Sequence, residues 1–592
     1  MKIKYLEGKR LYFAFLAGGK AILQDLAYLN KINVFPVPDG DTGTNLASTM
    51  KAIAENARPF HSLKESLRSI ADAALTGARG NSGLIFAQFI FGLSKELGSE
   101  IRVSTARFGE SVRNAVRYAY DSIAHPQEGT MLTLIREWAE EVYQNRHRFG
   151  DFHELLSHSL GKARQALQET PKKLAVLRRA GVVDAGAKGF MDFIEGVVNF
   201  IRQGSLKNVF NRELLDIEFQ EAPHKVRETI THRYCTEALI TGENLDLEKI
   251  REVVVSAGDS AIVGGSETKA RFHVHTNHPD ELFYALKDLG TITQPKAEDM
   301  KLQADISHKP KSRVAVVVDS SCDLPAEILE ENQVVVIPFP FNIGSHVFLD
   351  KLTITPEKLY SLMEKEEIMP KSSQPSLKTV ENWLSYLSSY FDSILILTIS
   401  GGLSGYYNLA RAAAEKFPEK KIRVVDSRHL SGTFGLIVKR LLEERAKGKD
   451  VDELAAMADE LAAKTELLVD IRTLKYMVKG GRVSPAKGLL AKILNIKPII
   501  TLDKDGRAVA AGKSFSRKQN FKKILGMITK RHSERRIHSY AVVHVKNMER
   551  AEAYAREIEK ICGKPVSFIM DVSPVVGVHN GIGAIGVCLS YE

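Results

Sequence analysis

The chain has 592 residues, 44% apolar and 26% charged, with a formal net charge of +10. That length exceeds one hydrophobic core and calls for two to four domains. No apolar run approaches the ~18 residues that cross a bilayer, and the first residues lack a signal-peptide pattern, so a cytoplasmic protein is expected. The charge permits contact with acidic proteins or anionic lipid without requiring nucleic acid, for which no motif is present. The four cysteines, Cys235, Cys322, Cys562 and Cys588, are scattered and fit a reducing compartment better than a disulfide framework.

Apolar residues recur at helical spacing over 11–29, 46–53, 63–75, 84–97, 108–123, 131–142, 155–167 and 191–201. Residues 8–203 are therefore expected to form one all-α domain of eight helices. Between the first two helices lies Asn33-Val34-Phe35-Pro36-Val37-Pro38-Asp39-Gly40-Asp41-Thr42-Gly43-Thr44-Asn45. Its prolines bar a regular helix. Asp39 and Asp41 flank a glycine and offer oxygen to a hard cation such as Mg²⁺, with Asn33 a third candidate ligand. The helix that follows opens with free N–H groups, which suit phosphate. Taken alone, Asp-Gly-Asp reads equally well as a turn. Three further glycine-marked helix starts change that balance: Gly77-Ala78-Arg79-Gly80-Asn81-Ser82-Gly83, Glu128-Gly129-Thr130-Met131, and Gly181-Val182-Val183-Asp184-Ala185-Gly186-Ala187-Lys188-Gly189. Four such starts in one helical domain point to a single converging site.

These four loops resemble the nucleotide-binding domain of the dihydroxyacetone kinase family, and the Asn33–Asn45 form resembles bacterial fatty acid kinase. The resemblance implies an eight-helix barrel holding ATP and Mg²⁺ at one end. It implies Asn33, Asp39 and Asp41 as Mg²⁺ ligands and the segment Thr42, Gly43, Thr44 and Asn45, with Gly80, Asn81, Ser82 and Gly83, around the phosphates. Thr130, Met131, Asp184 and Gly186 would surround the nucleoside. Ala187 stands where glycine is usual, and Gln127 where a hydrophobic residue is common.

A polar stretch from Arg202 begins a linker, and residues 226–305 then read as a small α+β module. Strands are expected over 253–255, 261–263 and 271–276, with helices over 245–252 and 281–289. His273 and His275 are two apart on a strand and face the same way. With Cys235 in Tyr234-Cys235-Thr236-Glu237 they make a plausible zinc set. A hydrogen-bonded histidine pair beside a core cysteine is the plainer reading. The same residues resemble the middle domain of fatty acid kinases, where the matching cysteine and histidines are associated with zinc and dimer formation.

From 313 to 592 strands and helices alternate. The runs 314–318, 394–398 and 422–425 each end in an Asp, Ser or Gly cluster, which predicts a parallel sheet with functional groups at its carboxyl edge. Strands at 498–502, 540–544, 567–570 and 583–589 predict a second lobe. Ser, His and Asp are all present, but no Gly-x-Ser-x-Gly elbow supports a hydrolase. The motifs around Asp319, Ser372, Ser404, Gly480-Gly481-Arg482 and His579-Asn580-Gly581-Ile582-Gly583 resemble, in that order, the DegV family of fatty-acid-binding proteins. The resemblance implies an apolar tunnel with Ser372 and Ser404 on the acyl carboxylate and Arg482 and His579 beside it. Tyr406 and the Asn580 and Ile582 positions depart from the usual pattern. Basic residues between Lys513 and Arg536 read first as a solvated face and second as a dock for an acyltransferase or an anionic membrane.

The whole reads as a multidomain acyl kinase: ATP and Mg²⁺ in the helical domain, a carried fatty acid in the last domain, and Asp39, Asp41, Arg482 and His579 as the catalytic set. A homodimer reacting between copies is expected, with acyl phosphate feeding phospholipid metabolism. The rival expectations are a kinase for a small hydroxylated substrate of the dihydroxyacetone (glycerone) type and a non-catalytic lipid carrier gated by nucleotide.

Overall fold

The computed structural model describes residues 2–35, 40–203, 230–365, 369–482 and 496–592. The chain divides into two units, Met1–His308 and Lys309–Glu592. Asp39 and most of the expected first linker lie outside the described residues. No helix among the described residues is long and apolar enough to cross a membrane.

The first unit opens with a strand pair, β1 (Tyr5–Glu7) and β2 (Arg102–Ser104). Its helices are α1 (Gly8–Gln24), α2 (Leu26–Lys31), α3 (Thr42–Asn56), α4 (Leu63–Gly77), α5 (Gly80–Glu96), α6 (Thr105–Asp121), α7 (Met131–Asn145), α8 (Phe152–Lys173), α9 (Ala175–Ala180) and α10 (Ala185–Gln203). The eight long ones pack as a closed ring, in the order α1, α3, α4, α5, α6, α7, α8, α10 and back to α1. The helix expected over 11–29 is broken at Asp25, where the backbone leaves helical geometry (φ −102°, ψ 7°) and α2 restarts. Side chains cap several starts: Ser62 accepts from Glu65 N, Ser104 from Arg107 N and Asp151 from Glu154 N, each satisfying an otherwise orphaned donor. An aromatic set fills the ring. Phe86 meets Phe193 edge-on at 4.9 Å, and Phe190 meets Trp138 at 5.6 Å. The buried Trp138 N–H donates to Ser159 Oγ at 2.9 Å, as a buried indole must.

The rest of this unit is α+β: β3 (Tyr234–Thr241), α11 (Leu247–Ser256), β4 (Gly258–Gly265), β5 (Lys269–Thr276), α12 (Pro279–Leu286), β6 (Thr291–Asp299) and α13 (Met300–His308). The antiparallel sheet runs β4-β5-β3-β6. Residues 253–255, expected as a strand, belong to α11. Asp246 caps that helix and Ile250 and Val254 bury one face of it, so packing overrides the β preference of three valines.

The second unit contains a parallel sheet of β7 (Val314–Asp319), β8 (Val335–Ile337), β12 (Ser393–Thr398) and β13 (Lys421–Asp426), ordered β13-β12-β7-β8. The hairpin β9 (Pro340–Ile343) and β10 (His346–Leu349) is joined by β11 (Lys371–Ser372). The second lobe is a six-stranded sheet of β14 (Thr465–Asp470), β15 (Lys497–Leu502), β16 (Ala508–Ser514), β17 (Ile537–His544), β18 (Ile569–Asp571) and β19 (Ile585–Tyr591). Only β17 and β18 pair in parallel there. Every residue of β7 and β12 is buried, as expected of strands covered on both faces. Asp470 anchors the second lobe. Fully buried, it accepts from Arg550 at 2.7 Å, Arg517 at 3.2 Å and Asn520 at 2.9 Å.

Candidate functional site

Three helix starts face one another in the first unit. A cavity of about 230 Å³ is lined by Asn81 and Ser82 from α5, Thr130 and Met131 at the start of α7, and Asp184 and Gly186 at the start of α10. Phe35 and Gln127 join them. Thr42, Gly43, Thr44 and Asn45, at the start of α3, are not part of that lining. Asn30 Oδ1 accepts from Thr44 N at 3.1 Å, and Thr44 Oγ1 accepts from Asn30 Nδ2 at 2.9 Å. Asn33 Oδ1 accepts from Thr42 N at 3.2 Å and also from its hydroxyl. Asn30 was not singled out by its sequence context. Asp41 makes no side-chain bond that caps α3.

Three glycines of the motifs serve close packing. A Cβ on Gly43 would lie 2.5 Å from Leu26 O. Gly80 has φ +53°, and a Cβ there would meet Asn45 Nδ2 at 2.2 Å, so no larger residue fits. The Gly80 N–H is donated to Glu237 Oε1 at 2.8 Å. Gly83 packs closely against α3. Burial pushes Asp184 up to about 6, against the N–H groups of Ala187, Met131 and Gly186 that favour its anion.

The fourth wall of the cavity comes from β4. Ser260, Ala261 and Ile262 line it. Val263 N donates to Ser122 O at 3.0 Å and Ala124 N to Ala261 O at 3.4 Å. The β4–β5 register shifts between Asp259 and Ile262, and Ser260 sits at φ +55°. A bulge of this kind re-aims side chains and is frequent beside functional sites.

The strand register pairs Cys235 with His275 and Glu237 with His273. Candidate ligand atoms of Cys235, His273 and His275 lie within 4.8 Å of one another. Cys235 Sγ is 3.9 Å from His273 Nδ1. Glu237 Oε1 lies 3.0 Å from His273 Nδ1, and Asp259 Oδ1 3.5 Å from His275 Nδ1. Burial raises the Cys235 thiol well above its ordinary value and lowers His275. Burial works against the Glu237 anion, but the His273 bond and nearby cations hold it well below the usual carboxylate range. The Asp41 charge is felt at both Cys235 and His275. Glu237 and Asp259 were missed. For Glu237 the signal was there, since it stands two places from Cys235 on a strand and therefore shares its face.

In the second unit a cavity of about 280 Å³ is walled by apolar residues such as Ile399, Leu467, Val469, Leu502 and Val543. Ser372, Ser404, Arg482 and His579 all line it. Ser372 Oγ and His579 Nε2 are 2.9 Å apart. Burial, helped by the Arg482 charge, lowers His579 to about 4, which keeps the ring neutral. Burial also lowers Arg482. His579 Nδ1 has no hydrogen-bond partner among the described residues, so no carboxylate orients the ring as a hydrolytic triad needs. Ser404 Oγ accepts from Tyr406 N at 3.3 Å. Tyr406 is fully buried and stands edge-on to the lining residue Phe339 at 5.2 Å.

Asp319, Ser320 and Ser321 do not line the cavity. Asp319 accepts from Ile399 N at 2.6 Å and Ser321 N at 3.0 Å, and Ser320 Oγ accepts from Phe339 N at 3.0 Å. They brace strand ends. Within the basic segment Arg517 and Arg531 turn to Asp470 and Glu466, the latter at 2.7 Å.

Residues 36–199 match the model of the DAK2 domain, 231–307 that of the FakA-like (fatty acid kinase) middle domain, and 313–592 that described as uncharacterised protein, DegV family. An uncharacterized protein of Staphylococcus aureus strain bovine RF122 / ET3-1 is 32% identical over 312 residues, covering 51% of this chain and 57% of the relative. One from strain USA300 is 31% identical with the same coverage. The chain thus spans little more than half the length of these curated relatives. Among solved structures, a DegV family protein of Thermus thermophilus described for fatty acid binding is 28% identical (TM-score 0.44), covering 47% of this chain and 100% of that one. DegV of Bacillus subtilis, described as a fatty acid binding protein, is 23% identical (TM-score 0.44), covering 48% and 100%.

Proposed function

From a chain that carries a DAK2 domain, a FakA-like middle domain and a DegV-family domain in succession, we propose an ATP-dependent kinase that phosphorylates a fatty acid held by the same polypeptide. The observation that carries the reading is the second-unit cavity: an apolar chamber whose polar side chains include Ser372, Arg482 and His579. An acyl chain takes the apolar part, and a carboxylate removed from water needs such donors.

Asp41, with Asp39 and Asn33, would hold Mg²⁺. The chemistry of the set fits, because Asp41 is not engaged in capping and Asn81 Oδ1, at the nucleotide cavity, is a buried acceptor without a partner among the described residues. A bound Mg²⁺ neutralises charge on the transferring phosphates. Asn81 and Ser82, with the start of α3, would position the phosphates, and Thr130, Met131, Asp184 and Gly186 the nucleoside. Ser372 and Arg482 orient the carboxylate, which is already ionised and needs no general base. One of its oxygens forms the new bond to the γ-phosphorus. The bond from that phosphorus to the bridging oxygen breaks, and ADP leaves with the electron pair. Positioning and charge neutralisation then carry most of the rate.

Cys235, His273 and His275 would hold zinc, with Glu237 and Asp259 fixing the rings as metal-bound histidines usually require. Such an ion would staple β3 to β5.

The test is to purify the full chain, identify any acyl chain that co-purifies, and trap acyl phosphate as hydroxamate with ATP and Mg²⁺. Lipid and ATP bound stoichiometrically with no hydroxamate would leave a carrier and remove the kinase.

A further inference from the structure

Glu237 touches both halves of the first unit. It lies on β3 and is 2% exposed, so every bond to its carboxylate counts. Oε1 accepts from Gly80 N at 2.8 Å and lies 3.0 Å from His273 Nδ1. Oε2 is 3.6 Å from Arg79 and 3.9 Å from Arg271. Arg271 in turn donates to Thr76 O at 2.9 Å. Thr76 in the last turn of α4, Arg79 in the connection and Gly80 at the start of α5 form the junction that presents Asn81 and Ser82 to the first-unit cavity. Gly80 also abuts Asn45 at the start of α3. One carboxylate therefore faces the phosphate-facing turn, the buried Arg271, the partly exposed Arg79 and one histidine of the cluster.

We propose that Glu237 is a positioning residue that couples this turn to the Cys235–His273–His275 cluster, so that nucleotide binding is transmitted into β3 and β5. The proposal rests on the nucleotide-site reading above. The coupling follows from burial. Without the carboxylate, Gly80 N–H has no acceptor and Arg79, Arg271 and His273 lose their shared partner. The turn and the strands would then relax separately. Cys235, Glu237, His273 and His275 do not line that cavity, and the loss of their response in the Glu237 variants is what separates transmission through Glu237 from the direct reach of the Asp41 charge.

The experiment is hydrogen exchange of the full chain with and without MgADP, for wild type and Glu237→Ala. In wild type MgADP should slow exchange in peptides covering 80–84 and 130–134, which contain cavity residues, and also in 234–241 and 269–276, by about threefold or more. In Glu237→Ala the first pair should stay protected while the second pair loses most of its response. Should Glu237→Ala fail to fold, Glu237→Gln decides: it keeps the shape but loses the charge, and at least half of the strand response should vanish. Undiminished strand protection in the folding variant overturns the proposal. So does a wild type that protects 80–84 but never the strands, and this leaves the nucleotide site intact. A wild type that shows no MgADP protection anywhere removes the nucleotide-site reading itself.

Discussion

Replacing Ser372 by alanine isolates one donor of the acyl site. Ser372 Oγ lies 2.9 Å from His579 Nε2 at the edge of an otherwise apolar cavity. A hydrogen bond to a charged group contributes about 1.5–3 kcal/mol. Alanine also leaves Nε2 unpaired on a ring whose Nδ1 already has no partner among the described residues. The expected effect is fatty acid binding weakened by roughly 10- to 150-fold, since about 1.4 kcal/mol is a factor of ten. Equilibrium titration of the full chain with a fluorescent fatty acid measures it, with the matching fatty alcohol as control. The alcohol lacks the carboxylate, so its affinity should change far less. A Ser372→Ala variant that binds the acid within twofold of wild type would refute the placement of the carboxylate beside Ser372. Equal losses for acid and alcohol would show damage to the cavity wall instead.

Three further outcomes are expected. Asp41→Asn should lower acyl phosphate formation by at least ~100-fold, because a metal ligand contributes several kcal/mol to phosphoryl transfer, while leaving fatty acid affinity unchanged. Mixed with Ser372→Ala it should regain turnover if donor and acceptor meet across a homodimer, and inactive mixed dimers would count against transfer between copies. His579, lowered from 6.5 to about 4, binds its proton more readily in the unfolded chain. The stability it contributes is therefore complete above about pH 6.5 and is lost as pH falls toward 4, by roughly 3 kcal/mol. His579→Gln should flatten the pH dependence of urea unfolding in that window, and an unchanged profile would show the ring is not held neutral. Zinc analysis should find about one ion per chain in wild type and little in Cys235→Ser, because removing one of three protein ligands leaves too few to retain it; equal contents would take Cys235 out of the site.

Much of this architecture was legible because helical and strand periodicities are local. Eight of the helical stretches and the buried run at 314–318 announce themselves in their own residues, and three of the four glycine-marked helix starts name residues that line the first-unit cavity. What escaped is what depends on tertiary approach. Gly43 looked like part of a phosphate cradle, yet its lack of a side chain serves the contact with Leu26 O. The Gly80 N–H looked free for phosphate and is taken by Glu237, 157 residues away. Ser260, Ala261 and Ile262 carry no motif, and only the packing of β4 against residues 122–124 makes them a wall. Val253, Val254 and Val255 favour a strand locally and are helical because Val254 is wanted in a core. Ser372 and His579, 207 residues apart, could be paired from sequence only through resemblance.

The electrostatics of the two cavities explain why each would need the other. Among the described residues the second-unit cavity offers one fixed cation, Arg482, and a histidine kept neutral by burial. That suffices to balance one carboxylate. A phosphoryl group brought to that carboxylate adds further negative charge, which Arg482 alone cannot offset in a poorly solvated site. On the proposed reading the compensating groups would stand elsewhere, at Asp41 with a bound Mg²⁺ and at the N-termini of α3 and α5. By this reasoning the second unit alone would bind acid without activating it, and the first unit alone would hold nucleotide without an acceptor. Acyl phosphate formation, as proposed, would then demand both sets of charges at once, with cations arriving together with the phosphates.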